Sequence, residues 1–208
     1  MSFFPFYIDI EGKNCLVIGG GTVALRKIEK IAPFKPKIVV IAPEICEEIR
    51  KLDIVCRFRK FEDGDLENTD FVICATNDES LNTHIFQLCN SKKLLINTVD
   101  NKENCSFIFP AIARSGDVTV AVTTEGKSPV LARYLKERFK AILNDEEGAG
   151  AIAEKLGSYR KIIKDSVHSE TGRKSAFSRL LNLCIEGKSS DIDNQLVQKI
   201  IEEENHEN

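Results

Sequence analysis

Three consecutive glycines, Gly19 to Gly21, are the residues whose chemistry is clearest from the sequence. They follow the apolar run Cys15–Ile18 and precede a helix-compatible segment that begins at Thr22. In such a strand–turn–helix, Gly19 permits a tight turn, Gly21 lets the backbone approach a pyrophosphate, and Ala24 allows close packing of helix on strand. Backbone N–H groups at the helix start then face the phosphates. The spacing predicts a dinucleotide-binding turn that includes Gly20.

An acidic residue usually follows the second strand of such a unit and binds the ribose hydroxyls. Here Ala42 occupies that position, and Pro43 and Glu44 come next. Glu44 either binds the ribose or simply lies in the first turn of the next helix, where an acid is favoured. Because no arginine follows immediately to bind a 2′-phosphate, the sequence favours NAD over NADP.

Small and polar residues also follow the fourth and fifth predicted strands, in Cys74–Asp78 and Asn97–Asp100. The carboxyl ends of parallel strands line the crevice where ligands bind, so both segments are candidates for contact with a cofactor. The first segment can also serve to cap the helix that follows it. Asp100 is either a loop cap or a base, since a carboxylate beside a cofactor can accept a proton as a hydride leaves.

Alternating strands and helices in the first half of the chain must position these motifs. Strands are predicted at Asn14–Ile18, Lys37–Ile41, Ile54–Arg57, Phe71–Cys74 and Leu94–Asn97, with helices at Thr22–Ala32, Glu44–Lys51 and Ser80–Asn90. Continuous apolar runs are typical of strands buried on both faces of a parallel sheet. We therefore predict an α/β fold with a doubly wound, Rossmann-type parallel sheet over residues 1–112. The apolar residues 1–7 are interpreted as an edge strand, because they lack the basic region and cleavage site of a signal peptide.

The pattern changes after Asp100. Strands are predicted at Cys105–Pro110 and Asp117–Thr123, and a helix to Leu143 begins at Pro129 with Ser128 as its N-cap. Further helices are predicted at Ala151–Ser166, Gly172–Glu186 and Ser190–Glu203. We expect a small α+β segment over residues 113–146 and a helical C-terminal domain over residues 147–208.

Composition excludes several classes of function. The net charge of −3 does not support a role in binding nucleic acid or anionic membranes in general. No apolar run reaches the roughly 18–20 residues that span a bilayer. The seven cysteines are odd in number and lack CxxC spacing, which indicates buried reduced thiols and a reducing compartment, most simply the cytoplasm. The three histidines, His84, His168 and His206, are too scattered to predict a metal site.

Six segments share their order and near spacing with one known family: Cys15–Lys27, Ile41–Glu44, Ala75–Asp78, Asn97–Asp100, Ser106–Ala111 and Thr124–Arg133. On these segments the chain resembles the amino-terminal domain of siroheme synthases, closely over residues 3–145 and loosely beyond. The resemblance implies NAD-dependent dehydrogenation of precorrin-2 to sirohydrochlorin. In some members the same domain also inserts ferrous iron into sirohydrochlorin. The resemblance further implies that the protein is a homodimer, with its dimerisation region at residues 113–146.

The resemblance also implies roles for individual residues. Asp100 matches the carboxylate implicated in dehydrogenation and, where present, chelation. The residues expected to contact the cofactor are Gly19, Gly20, Gly21, Thr22, Val23, Pro43, Glu44, Ala75 and Thr76. Ser128 matches a serine near the substrate that is phosphorylated in some relatives, and its modification stays open here.

The implied substrate carries eight carboxylates, so basic groups must lie near it although the chain as a whole is acidic. The candidate substrate-binding residues are Asn97, Lys102, Ser106, Arg114, Lys127, Ser128 and Arg133. Arginines among them would form the stronger, bidentate contacts with carboxylates.

Two functions of other classes remain open. A nucleotide-sensing regulatory module would bind its ligand without turnover and would need neither Asp100 nor the helical tail. A dimeric tetrapyrrole-binding scaffold that has lost redox activity would bind porphyrinoids independently of NAD.

Overall fold

The computed structural model describes residues 3–99, 102–145 and 147–206, and the chain forms two compact units, Met1–Phe109 and Pro110–Asn208. The boundaries at residues 112 and 146 that we drew from the sequence stay a prediction.

The first unit is built around a five-stranded parallel sheet with the order β3-β2-β1-β4-β5. Its strands are β1 (Asn14–Ile18), β2 (Lys37–Ile41), β3 (Val55–Arg57), β4 (Phe71–Cys74) and β5 (Leu95–Thr98). Its α-helices are α1 (Thr22–Ile31), α2 (Glu47–Arg50) and α3 (Glu79–Ser91). The predicted Rossmann-type sheet is confirmed.

Sheet register brings the functional motifs to one edge. Ile18 of β1 pairs with Ile41 of β2 on one side and with Cys74 of β4 on the other, and Cys74 in turn pairs with Thr98 of β5. The strand order reverses direction between β1 and β4, and ligands of open α/β sheets bind outside the carboxyl ends of the strands at such a point.

Each face of this sheet is covered by a separate apolar layer, which explains why the strands are continuously apolar. On one face, Val17 and Ile73 pack with Ala24 and Ile28 of α1. On the other face, Ile18, Val72 and Ile96 pack with Ile85 and Cys89 of α3.

The described residues of the second unit form an antiparallel hairpin and four α-helices. The strands are β6 (Ala111–Ser115) and β7 (Val118–Val122), and the helices are α4 (Pro129–Leu143), α5 (Ala149–Ser166), α6 (Glu170–Ile185) and α7 (Asn194–His206). Helix α4 packs against the hairpin, and α5, α6 and α7 share a core around Ile163, Leu180 and Ile200.

Two of the predicted strands are wrong. The edge strand predicted over residues 1–7 is absent from its described part, residues 3–7, because Pro5 lacks an N–H for a ladder and the neighbouring Phe4 and Phe6 are exposed. Residues 105–110 form none either, and β6 begins only at Ala111. Instead the backbone N–H of Ser106 donates to the Ile96 carbonyl at 2.8 Å, so this segment crosses the edge of β5 without forming a ladder.

Two predicted helices start later than expected. The Cys46 N–H donates to the Gly20 carbonyl at 2.8 Å, which holds the chain extended until α2 begins at Glu47. Near the carboxyl terminus, Asp193 accepts a hydrogen bond from the Leu196 N–H at 2.8 Å, so α7 begins only after this residue.

All seven cysteines are free thiols, and five of them are buried, as the sequence predicts. Among the helices of the described residues, none combines the length and the apolarity needed to cross a membrane.

Candidate nucleotide-binding site

The first two glycines of the turn are required by close backbone contacts. Gly19 has φ +116°, and a Cβ placed on it would lie 2.2 Å from the carbonyl oxygen of Ala75. A Cβ on Gly20 would lie 2.2 Å from the carbonyl oxygen of Glu44. The turn after β1 therefore passes between the turns after β4 and β2, and only glycine fits at either position.

Gly21 differs from the first two glycines, because a Cβ built on it would meet no atom within 4 Å beyond its own chain neighbours, so the space beside it is open. It is the N-cap residue of α1, and no side chain caps this helix end. Thr22 is exposed and Val23 is half-buried. Uncapped N–H groups at a helix N-terminus favour an anion. The open space above Gly21 thus fits a pyrophosphate, as the sequence predicts for a dinucleotide.

Pro43 and Glu44 lie beside this turn and are both exposed, whereas Ala42 is buried. The Glu44 carboxylate can therefore accept hydrogen bonds from a ribose. Arg59 donates to Asp65 at 2.7 Å, and Arg57 lies 3.5 Å from the same carboxylate. The hydrogen bond from Arg59 is the main cause that lowers the pKa of Asp65. Arg57 at the end of β3 and Arg59 just after it are thus both engaged by the Asp65 carboxylate.

The turn after β4 is held by several hydrogen bonds. Asp78 caps α3 by accepting from the Leu81 N–H at 3.0 Å, and it also accepts from the Ser80 hydroxyl. The hydroxyl of Thr76 donates to the side-chain oxygen of Asn82 at 2.5 Å. Ala75 is buried against the glycine turn. The segment therefore caps α3, and it also lies beside the glycine turn.

Asn97 at the end of β5 is only 4% exposed, and its amide is fully engaged. Its oxygen accepts from Lys27 Nζ at 3.1 Å, and its nitrogen donates to the Phe107 carbonyl at 3.0 Å. Lys27 also lies 4.3 Å from the centre of the Phe109 ring, within the range of a cation–π interaction. The Ser106 hydroxyl accepts from the Ile96 N–H at 2.7 Å. Asn97 and Ser106 thus hold the chain after β5 in place.

Sequence reasoning missed Lys27 and Asn82, although a signal for each was present. Lys27 falls three residues after Ala24 and four before Ile31, so it lies on the apolar stripe of α1. Asn82 comes three residues before Ile85 on the buried side of α3. A polar residue within an apolar stripe is the feature that marks both positions.

Asp100 lies outside the described residues, so its predicted catalytic role stays a prediction. Lys102 begins a short 3-10 helix, Lys102–Asn104, and is exposed. The Nε2 atom of His84 lies 2.9 Å from a carboxylate oxygen of Asp63.

The remaining predicted substrate-binding residues belong to the second unit. Arg114 donates to the Gly116 carbonyl at 2.7 Å and so supports the β6–β7 turn. Ser128 caps α4, as predicted, by accepting from the Leu131 N–H at 3.2 Å. Lys127 and Arg133 flank this cap on exposed positions.

The buried thiols of the first unit are neutral. Burial raises the pKa of Cys74 to about 12 and also raises that of Cys105, so neither is a nucleophile at neutral pH. Within the described ranges, no group of three or more His, Cys, Asp or Glu side chains could hold a metal ion.

Comparison with known proteins gives two family matches and several relatives. Residues 6–111 match the family model described as "Putative NAD(P)-binding", and residues 116–142 match that of the sirohaem biosynthesis protein central region. A siroheme synthase of Thioalkalivibrio sulfidiphilus is 36% identical over 87% of this chain and 37% of its own length. One of Buchnera aphidicola is 38% identical over 88% of this chain and 39% of its own length. The chain therefore spans about two fifths of the length of these curated relatives.

Among solved structures, that of SirC, a precorrin-2 dehydrogenase, matches with a TM-score of 0.69 and 23% identity. The match covers 97% of this chain and 98% of that one, and it confirms the predicted fold. The resemblance to siroheme synthases that the motifs indicate is likewise confirmed. Since the first family model covers half of the 208 residues and includes the whole glycine turn, the chain belongs to this putative NAD(P)-binding family.

Proposed function

We propose that this chain uses NAD to dehydrogenate precorrin-2 to sirohydrochlorin. The observation that carries the proposal is the uncapped N-terminus of α1 beside the open space at Gly21, because this arrangement fits a dinucleotide pyrophosphate. The siroheme synthase relatives and the central-region match supply the substrate class. When bound, NAD⁺ would accept a hydride from the macrocycle, and one proton would leave with it.

The preference for NAD over NADP is supported by charges beside the turn. Glu44 would repel a 2′-phosphate, whereas its carboxylate can accept hydrogen bonds from ribose hydroxyls. The nearby cations Arg57 and Arg59 are already engaged by Asp65. We therefore expect Glu44→Ala to weaken NAD binding more than NADP binding.

We propose that Asp100 accepts the proton that the macrocycle loses. The test is to mix the protein with NAD and precorrin-2 and to follow NADH formation together with the spectrum of sirohydrochlorin. Asp100→Asn should lower the turnover number about 100-fold or more, as loss of a general base typically does, while NADH still binds. Asp53→Asn is the matched control, because Asp53 is exposed before β3, at the opposite edge of the sheet.

This assay separates the proposal from its alternatives. If the Asp100→Asn variant turned over as fast as the wild type, the proposed role of Asp100 would be refuted. NADH binding without any turnover would favour the nucleotide-sensing module, and porphyrinoid binding that ignores NAD would favour the scaffold. A second arm with ferrous iron as a further substrate tests whether siroheme forms above the uncatalysed rate.

We further propose that the protein is a homodimer formed through α4. Val130 and Tyr134 lie four residues apart and are therefore neighbours on the surface of this helix, and they are 80% and 58% exposed. Ile142, near the end of the same helix, is 66% exposed. Large exposed apolar side chains that lie close together are typical of interfaces. Light scattering should give the mass of a dimer, and Tyr134→Glu should shift it towards that of a monomer, whereas Lys140→Glu should not.

The proposal also covers the groups that bind the substrate carboxylates and the compartment of the protein. Lys102, Lys127 and Arg133 are exposed and are proposed to bind substrate carboxylates. Arg114 is the weaker candidate, because its guanidinium already donates to the Gly116 carbonyl. Seven free thiols support a reducing compartment, and we propose the cytoplasm.

A further inference from the structure

The turn after β4 forms one wall of the proposed cofactor site. The Ala75 carbonyl carbon and oxygen lie 2.6 and 2.2 Å from the Cβ position that Gly19 lacks, and the Thr76 nitrogen lies 3.3 Å from it. The Ala75 N–H also donates to the Ile18 carbonyl at 2.7 Å. A displacement of the Ala75–Thr76 peptide would therefore move the glycine turn or open a gap beside it.

Asn82 of α3 is buried, 7% exposed, and its amide makes three contacts with the end of β4. Its oxygen accepts from the Thr76 hydroxyl at 2.5 Å and from the Cys74 thiol at 3.0 Å, and its nitrogen donates to the Thr76 carbonyl at 3.1 Å. Thr76 is thus held by Asn82 at both its side chain and its main chain.

Two further hydrogen bonds hold this turn. The Thr76 hydroxyl oxygen accepts from the Asp78 N–H at 3.2 Å, and the Asn82 N–H donates to the Asp78 carbonyl at 2.9 Å. The Cys74 thiol keeps the proton that it donates, since burial holds it neutral. If the buried amide of Asn82 lost these partners, the folded state would be destabilised by its unsatisfied polar atoms. Asn82 and the turn are therefore expected to move together.

We propose that Asn82 is a positioning residue of the cofactor site: it holds the Ala75–Thr76 peptide against Gly19, so that the glycine turn is already shaped for a pyrophosphate before the cofactor binds. The inference rests on the proposed binding of NAD. Asn82 acts through Thr76 and does not itself contact the cofactor. Its removal should therefore weaken cofactor binding without changing the chemical step.

The test compares Asn82→Ala with Asn90→Ala. Asn90 lies on the same helix, is exposed, and has no recorded side-chain contact in the described residues, so its variant controls for the loss of an asparagine from α3. For each protein, the dissociation constant of NADH is measured by its fluorescence, and KM for NAD and kcat are measured with precorrin-2. Asn82→Ala should raise both the NADH dissociation constant and KM about tenfold, while kcat at saturating NAD stays within about twofold.

A purely structural role would give a different result. Asn82→Ala would then melt at a lower temperature, but its folded molecules would bind NADH as the wild type does, and this outcome would overturn the proposal. Wild-type protein that fails to bind NADH would overturn the proposed function as well, so the two failures are distinguishable.

Thr76→Val keeps the proposal testable if Asn82→Ala does not fold. It removes the hydroxyl that donates to Asn82 and leaves the backbone contact in place. The NADH dissociation constant should rise about threefold, and an unchanged value would contradict the proposal. Where Asn82→Ala folds, the double variant should bind NADH no more weakly than Asn82→Ala alone, because both substitutions break the same connection.

Discussion

Replacing Gly19 and Gly21 one at a time by alanine should separate folding of the glycine turn from binding of its ligand. Gly19 has a φ of +116°, which side-chain-bearing residues rarely adopt, and holding alanine there costs about 1–3 kcal/mol. Its Cβ would also overlap the Ala75 carbonyl oxygen, which belongs to the backbone and cannot rotate away. Overpacking of this kind costs about 1–3 kcal/mol more.

Gly19→Ala should therefore lower the free energy of unfolding by about 2–6 kcal/mol, a large share of the roughly 5–15 kcal/mol that stabilises a typical domain. Gly21 has a φ of −90° and open space at its Cβ position. Alanine there should change stability by no more than about 1 kcal/mol, because the restriction of the unfolded chain is offset by the lower preference of alanine for an N-cap position. Its methyl group would nevertheless stand where the pyrophosphate approaches, so NADH should bind at least about tenfold more weakly.

Urea unfolding followed by circular dichroism gives the stability of each variant, and NADH fluorescence gives its affinity. A Gly19→Ala variant within about 0.5 kcal/mol of wild type would refute the packing argument, since that is the size of an ordinary surface substitution. A stable Gly21→Ala variant with unchanged NADH affinity would refute the pyrophosphate site. Equal losses of stability in both variants would show that the two glycines do not have the separate roles assigned to them.

Three further predictions concern polar groups of the first unit. Lys27→Met should lower stability by about 1–3 kcal/mol, because the buried Asn97 oxygen loses its donor, and urea unfolding measures this loss. Asp65 has a lowered pKa because Arg59 donates to it, so its contribution to stability is complete above the unfolded pKa of about 3.9 and is lost as the pH falls through the lower folded pKa. In Asp65→Asn the free energy of unfolding should therefore fall less steeply as the pH drops below about 4. The same pH dependence in variant and wild type would contradict this role of Asp65. Thr98→Val should raise stability by about 1 kcal/mol, since the buried Thr98 hydroxyl has no hydrogen-bond partner among the described residues, and a lower melting temperature would contradict this.

The sequence was sufficient for the sheet because its strands are short apolar runs with turn residues between them. The segment from Cys105 to Pro110 has the same apolar character, yet it crosses the edge of β5 through side-chain contacts of Ser106 and is not a strand. The periodicity of apolar residues cannot distinguish a strand from an irregular segment packed against a sheet, because apolar side chains are buried in both. The late start of α2 likewise depends on a hydrogen bond between Cys46 and Gly20, which are far apart in the sequence.

The glycine turn itself could be predicted, whereas the residues that hold it could not. A run of glycines indicates a backbone conformation that other residues rarely adopt, and this conformation is a local property of the chain. Asn82 and Lys27 bind residues outside their own helices, namely Thr76 after β4 and Asn97 of β5. Their only signal is a polar residue on an apolar stripe, and such a residue is satisfied or costly depending on contacts that the sequence does not contain.

The distribution of buried polar side chains in the first unit connects these observations. Of its described residues, the buried polar side chains are Asn82, Asn97 and Thr98, and all three lie at the carboxyl ends of β4 and β5 or in the helix turn that follows β4. Elsewhere the core is apolar, which is the arrangement that stabilises a fold most simply. Asn82 fixes the wall beside Gly19, and Asn97 ties the end of β5 to Lys27 in the helix that begins at the glycine turn. Because satisfied buried polar networks fix one arrangement of the chain, the contacts of Asn82 and Asn97 at this edge support the cofactor site that we propose there.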